Sequence, residues 1–136
     1  DTIQAAILRA KLKHLDKWNE RRREIAKRYI KNLRGVKGIE IKKPKEWAEP
    51  VYHLFVIETE KRSELQKELS KNGIATGIHY PIPLHLLKSF EDLGYRKGDF
   101  PVSEKCAERV LSLPMFPELK DEEVDRICEI IAEFLS

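Results

Sequence analysis

The sequence predicts an α+β domain: a long N-terminal helix, a small three- to four-stranded sheet, and helices packed on one face of it. Three observations predict this. Residues 2 to 33 contain no glycine or proline, and their apolar residues recur at three- and four-residue steps. Two short runs, Val51–Ile57 and Ile74–His79, alternate with a helix-patterned stretch, as in an α/β layer. Residues 121 to 135 again place apolar side chains on one helical face.

In the first helix the stripe is Ile7, Leu8, Leu12, Leu15, Trp18, Ile25, Ala26, Tyr29 and Leu33, ending near Gly35. A helix of ~30 residues is about 45 Å long. That exceeds what a domain of this size covers, so part of the stripe is expected to face another domain or subunit. Gly35–Gly38 reads as a turn and Ile39–Lys42 as a short strand. Pro44 and Pro50 bracket an irregular stretch, and Val51–Ile57 carries the strongest strand character in the chain.

Ser63 and Gln66 match a capping box that opens a helix with Leu65 and Leu69 on its apolar face. Asn72-Gly73 closes it. Ile74–His79 follows as a strand, and residues 80 to 101, punctuated by Pro81, Pro83, Gly94, Gly98 and Pro101, form a long ordered loop with one helical turn near Leu84–Phe90. Ser103 is placed to cap a helix running through Val110. Leu111–Leu113 is a strand stopped by Pro114. The last helix carries Val124, Ile127, Cys128, Ile131 and Leu135 on one face.

Length and composition limit the function classes. A chain of 136 residues fits one domain with a real core, and 41% apolar with 36% charged residues describes a globular, densely charged molecule. No stretch approaches the ~18 consecutive apolar residues of a membrane span. The N-terminus lacks the features of a signal peptide, so a cytoplasmic location is expected. The net charge of +3 is too small to imply nucleic acid. Arg21-Arg22-Arg23 is interspersed among Asp16, Glu20 and Glu24, which describes a solvated face. Cys106 and Cys128 fall in helical apolar patterns and read as buried free thiols. His14, His53, His79 and His85 show no metal-ligand spacing with Cys or carboxylates, and no metal is expected.

Chemistry concentrates in Gly77-Ile78-His79-Tyr80-Pro81-Ile82-Pro83-Leu84-His85. Two histidines and a tyrosine sit where a strand ends in a proline-fixed loop, and strand ends collect ligand sites in α/β layers. Histidine and tyrosine can both donate hydrogen bonds to a phosphate. From the residues alone two readings stand: donors facing an anion, or a buried turn whose histidines are satisfied internally. Two other stretches have a distinct texture. The alanines near Thr2–Leu8 would let another backbone come close, and Leu111–Pro117 reads as a strand with a rigid turn.

Taken together, "DTIQAAILRAKLKHLDKWNERRREIAKRY", "VYHLFVIET", "NGIATGIHYPIPLH", "LGYRKGDFPVSEKCAERVLSLPMFPEL" and the final helix from "DEEVDRI" resemble the DegT/DnrJ/StrS family of sugar-nucleotide aminotransferases over essentially the whole chain. The resemblance implies a fold type I enzyme dependent on pyridoxal 5'-phosphate. It would act as a homodimer and transfer an amino group, from glutamate, to a nucleotide-linked keto-sugar for cell-surface polysaccharide or related glycan biosynthesis. Residues 1–136 would be its C-terminal small domain, and the large cofactor-binding domain with the Schiff-base lysine would be absent. The chain alone is then expected to be inactive, to hold no catalytic or cofactor-binding residue and to bind no cofactor. By the family pattern His79, Tyr80 and His85 would bind the nucleotide sugar. Exposed apolar surface left by the missing domain should make the isolated chain self-associate or dissolve poorly. No nucleic-acid or membrane partner is expected.

Two other classes remain in view. One is a stand-alone ligand-binding or interaction domain derived from the family, distinguished by a gene that itself begins near Asp1. The other is an anion- or nucleic-acid-binding module, distinguished by an affinity that falls steeply with salt.

Overall fold

The N-terminal apolar run folds as two helices, α1 (Thr2–Leu12) and α2 (Leu15–Asn32). The computed structural model describes all 136 residues. No glycine or proline marks the break. The chain tightens there into one turn, with the His14 N–H donating to the Lys11 carbonyl at 2.9 Å, and then resumes α-helical bonding. The break coincides with a change in packing. No residue of α1 is buried, whereas Ile25, Ala26 and Tyr29 of α2 are fully buried.

The remaining elements are β1 (Phe55–Glu58), α3 (Arg62–Lys71), α4 (Pro101–Arg109), β2 (Val110–Leu113) and α5 (Asp121–Leu135). β1 and β2 pair antiparallel, with Phe55 opposite Leu113 and Ile57 opposite Leu111. Single-residue bridges extend the sheet on both sides, Glu40 to Glu58 and Gly77 to Ser112. The α+β class is as expected. The sheet, however, has two strands, and the expected strands at 39–42 and 74–79 are reduced to one bridging residue each. The expected strand at 51–57 begins only at Phe55, because Tyr52 takes a left-handed conformation (φ 52°) that turns the chain. From there Tyr52 packs against the core, its ring 6.2 Å from that of Phe55.

Side chains alternate across a strand. Phe55, Ile57, Leu111 and Leu113 therefore share one face, where they join α2, α3 and α5 in a single core. Tyr29 is its largest member. Its ring stacks on Phe55 at 4.8 Å, and its hydroxyl donates to the Pro114 carbonyl at 3.0 Å. Burial pushes the Tyr29 hydroxyl well above the ordinary range, so it stays a donor. Arg28 and Arg21 of α2 both reach Asp121 of α5, and Arg28 also pairs with Asp125. Cys106 and Cys128 are free thiols, Cys106 half-buried and Cys128 buried, with the Cys128 thiol pushed up to about 12 by burial.

Two expected caps differ. α3 starts after Lys61, whose N–H donates to Thr59 Oγ1 at 3.3 Å, while Gln66 donates to Thr76 and ties α3 to the chain that follows it. α4 starts two residues before Ser103, at Pro101, whose fixed φ suits the first helical position.

Candidate functional site

The residues singled out from the sequence sit on and beyond the sheet face opposite the helices. Ser112 lies between Leu111 and Leu113 in β2, so its side chain points away from the core. Gly77 docks on it through two backbone hydrogen bonds, N–H to the Ser112 carbonyl at 3.0 Å and the reverse at 2.8 Å. Two residues later the His79 ring folds back over Gly77. A Cβ at position 77 would lie 2.6 Å from His79 Cε1, so only glycine leaves room for the ring there. The ring is held by His79 Nδ1 and Ser112 Oγ, 2.9 Å apart.

Tyr80 meets the His79 ring edge-on at 5.6 Å, across a cis peptide, and is 73% exposed. Ile82 and Leu84, also exposed, continue the rim. The corner thus presents an imidazole, a phenol and an apolar lip to the outside.

His85 is placed differently. It lies in a single 3-10 turn, Leu84–Leu86, with its side chain turned inward and only 8% exposed. His85 Nε2 lies 3.0 Å from Glu104 Oε1. The Glu104 carboxylate also accepts from the Gly98 N–H at 2.8 Å and, more weakly, from the Phe100 N–H at 3.4 Å. Those donors, Gly98 foremost, hold the Glu104 carboxyl below its usual range. The structure therefore brings His79 and Tyr80 together and sets His85 apart, beneath the same loop.

Ser112 and Glu104, which hold the two histidines, have no assigned role in the sequence-based expectation. Ser112 had a usable sign, a lone polar residue between two leucines in a strand. Glu104 had only a weak one, an acidic residue in the first turn of a helix.

Elsewhere, arginines of α2 pair with carboxylates. Arg21 pairs with Glu24 and Asp121, and Arg23 with Glu20 and Glu49. His53, within the expected strand at 51–57, lies before β1 and is exposed. No three His, Cys, Asp or Glu side chains converge as a metal site would require, and no helix is long and apolar enough to cross a membrane.

A model of the DegT/DnrJ/EryC1/StrS aminotransferase family matches residues 1–132. Among similar proteins, the pleiotropic regulatory protein of Geobacillus stearothermophilus is 48% identical over 136 residues, covering 98% of this chain and 37% of its own length. The dTDP-3-amino-3,4,6-trideoxy-alpha-D-glucose transaminase of Streptomyces venezuelae is 40% identical over 134 residues, covering 98% of this chain and 35% of its own. The crystal structure of S. venezuelae DesV in complex with a ketimine intermediate superposes with a TM-score of 0.94 at 39% identity, covering 98% of this chain and 36% of that one. The chain thus spans about a third of the length of these relatives.

Proposed function

The chain belongs to the DegT/DnrJ/EryC1/StrS aminotransferase family, and we propose that it is the C-terminal small domain of a pyridoxal-phosphate-dependent aminotransferase acting on a nucleotide-linked keto-sugar. Glutamate is the amino donor in this reading, the working unit is a cytoplasmic homodimer, and the product feeds glycan biosynthesis. The similarity to a dTDP-sugar transaminase supports the substrate class.

The chain's residues do not by themselves fit the cofactor. Every lysine is exposed, and Lys42 is held more firmly charged by Glu40. A lysine that forms a Schiff base needs the opposite, a desolvated site that releases the proton. The aldimine lysine is therefore assigned to the rest of the enzyme, and no step of the chemistry is placed on these residues.

The observation that carries the reading is the exposed His79–Tyr80 corner. This reading assigns His79 the tautomer in which Nδ1 accepts from Ser112 Oγ, 2.9 Å away, so that Nε2 carries the proton and is a donor for a phosphate oxygen of the nucleotide sugar. The Tyr80 hydroxyl adds a second donor, and the lip of Ile82 and Leu84 covers the apolar side of the ligand. Both groups bind and orient the sugar nucleotide without moving a proton in the reaction. His85 contributes from beneath the loop.

The test is His79→Ala in the full-length enzyme. A hydrogen bond to a charged group contributes ~1.5–3 kcal/mol, so KM for the sugar nucleotide should rise about 10- to 100-fold. The half-reaction with the amino donor should be unchanged. A KM equal to that of wild type sinks the assignment.

A second reading, a ligand-binding domain descended from the enzyme, is favoured by the regulatory name of the 48% identical relative. Absorption spectra of the full-length protein separate the two, since only the enzyme forms an aldimine that absorbs visible light.

A further inference from the structure

The loop from His79 to Phe100 makes only local backbone hydrogen bonds, such as Leu86 to Pro83 and Gly94 to Glu91. Residues 88 to 100 are all exposed, so little packing against the core of this chain holds it. Its long-range hydrogen bonds come from two histidines, His79 to Ser112 and His85 to Glu104. Ser112 and Glu104 belong to one continuous unit, since α4 runs directly into β2.

Glu104 is the more unusual anchor. It is a buried carboxylate with no lysine or arginine partner. Its ligands are the imidazole of His85 and the backbone N–H groups of Gly98 and Phe100, so one side chain gathers three points of the loop. Gly98 reaches it with φ +102°, a backbone that side-chain-bearing residues rarely adopt. The His85 ring also packs on Phe100 at 4.8 Å, and Phe100 on Tyr95 at 5.1 Å. The position of the carboxylate in the first turn of α4 adds the favourable field of the helix N-terminus.

We propose that Glu104 and His85 are positioning residues: they latch the 80–100 loop onto α4 and thereby hold the Tyr80–Leu84 rim in place for the nucleotide sugar. The proposal rests on the function proposed above for its ligand, though not for the latch itself. Without the latch the rim would sample many conformations, and the ligand would have to order it on binding. The cost should appear in KM and leave the half-reaction with the amino donor unchanged.

The experiment uses the full-length aminotransferase with Glu104→Gln, His85→Ala and His85→Gln. Amide hydrogen exchange is followed over residues 84–100, and KM and kcat are measured for the sugar nucleotide. Glutamine at 85 can place an amide donor near the position of Nε2, so it should restore much of what alanine removes. Glu104→Gln and His85→Ala are expected to speed loop exchange at least tenfold, leave exchange in α2 and α5 unchanged, and raise KM several-fold with little change in kcat. If Glu104→Gln fails to fold, the two His85 variants decide the matter. Loop exchange equal to wild type in the variants overturns the latch. A loosened loop with unchanged KM overturns the positioning role. A wild-type enzyme that turns over no nucleotide sugar overturns the functional reading instead, and the exchange data still decide the latch.

Discussion

α1 and α2 come from one uninterrupted amphipathic run, yet they meet opposite fates. α2 buries Ile25, Ala26 and Tyr29 against the sheet and α5. In α1, Ile3, Ile7, Leu8 and Leu12 are all more than half exposed. The same division separates the two sides of the sheet. The face carrying Phe55, Ile57, Leu111 and Leu113 is packed by helices, while the Ser112 side supports a loop held by a few polar contacts. Amphipathic patterning specifies that a face will be buried, without specifying by what. A helix satisfies its interior backbone hydrogen bonds by itself, but at 11 residues α1 is marginal in water until something covers its apolar stripe.

The comparison can be broken most sharply in the core. Tyr29→Ala should cost about 3–5 kcal/mol in urea unfolding, because it empties a fully buried aromatic position and leaves the Pro114 carbonyl without its donor. A loss under ~1 kcal/mol, the range of ordinary surface positions, would show that the packed half does not dominate stability.

Gly77→Ala acts at the boundary. The added Cβ must displace the His79 ring from Ser112, which should cost roughly 1 kcal/mol of stability. Its larger mark should be a changed His79 ring resonance in NMR and weaker sugar-nucleotide binding.

Acid sharpens the comparison further. The Glu104 carboxyl is lowered from 4.5 mainly by the Gly98 N–H, and Asp125 from 3.8 mainly by Arg28. Both groups hold protons more weakly folded than unfolded, so their contribution is fully present above about pH 4.5 and is lost as pH falls through the lowered values. As pH falls through those lowered values the loop should therefore loosen and the α2–α5 contact weaken, and Glu104→Gln should remove only the loop's share of that change.

The smallest effect is expected in α1. Ile7→Ala should change unfolding by no more than ~0.5 kcal/mol, since the side chain touches no core. Replacing Ile3, Ile7 and Leu8 together by glutamate should instead reduce self-association of the isolated chain in sedimentation, because that surface is a contiguous apolar face. A strictly monomeric wild-type chain would refute the expectation.

Much of the fold was legible because its signs are local. Helical periodicity located α2, α3 and α5, and Pro114 marked the end of β2. The misplaced features depend on geometry between segments. Tyr52 delays the start of the expected strand by packing on Phe55 in a left-handed conformation. Ser63 and Gln66 have the spacing of a cap, but Thr76, brought close by folding, takes the Gln66 amide.

The candidate site divides in the same way. The sequence by itself determined that His79, Tyr80 and His85 belong to one proline-fixed loop, and the wording of that loop pointed to the family. Only the tertiary structure decided that His79 leans on Ser112 with its ring turned outward at the loop's start, while His85 turns inward to Glu104. Residues six apart in one loop can face solvent or interior alike. Their partners lie 33 and 19 positions further on, and only folding of the α4–β2 unit beneath the loop puts a hydroxyl under one ring and a carboxylate under the other.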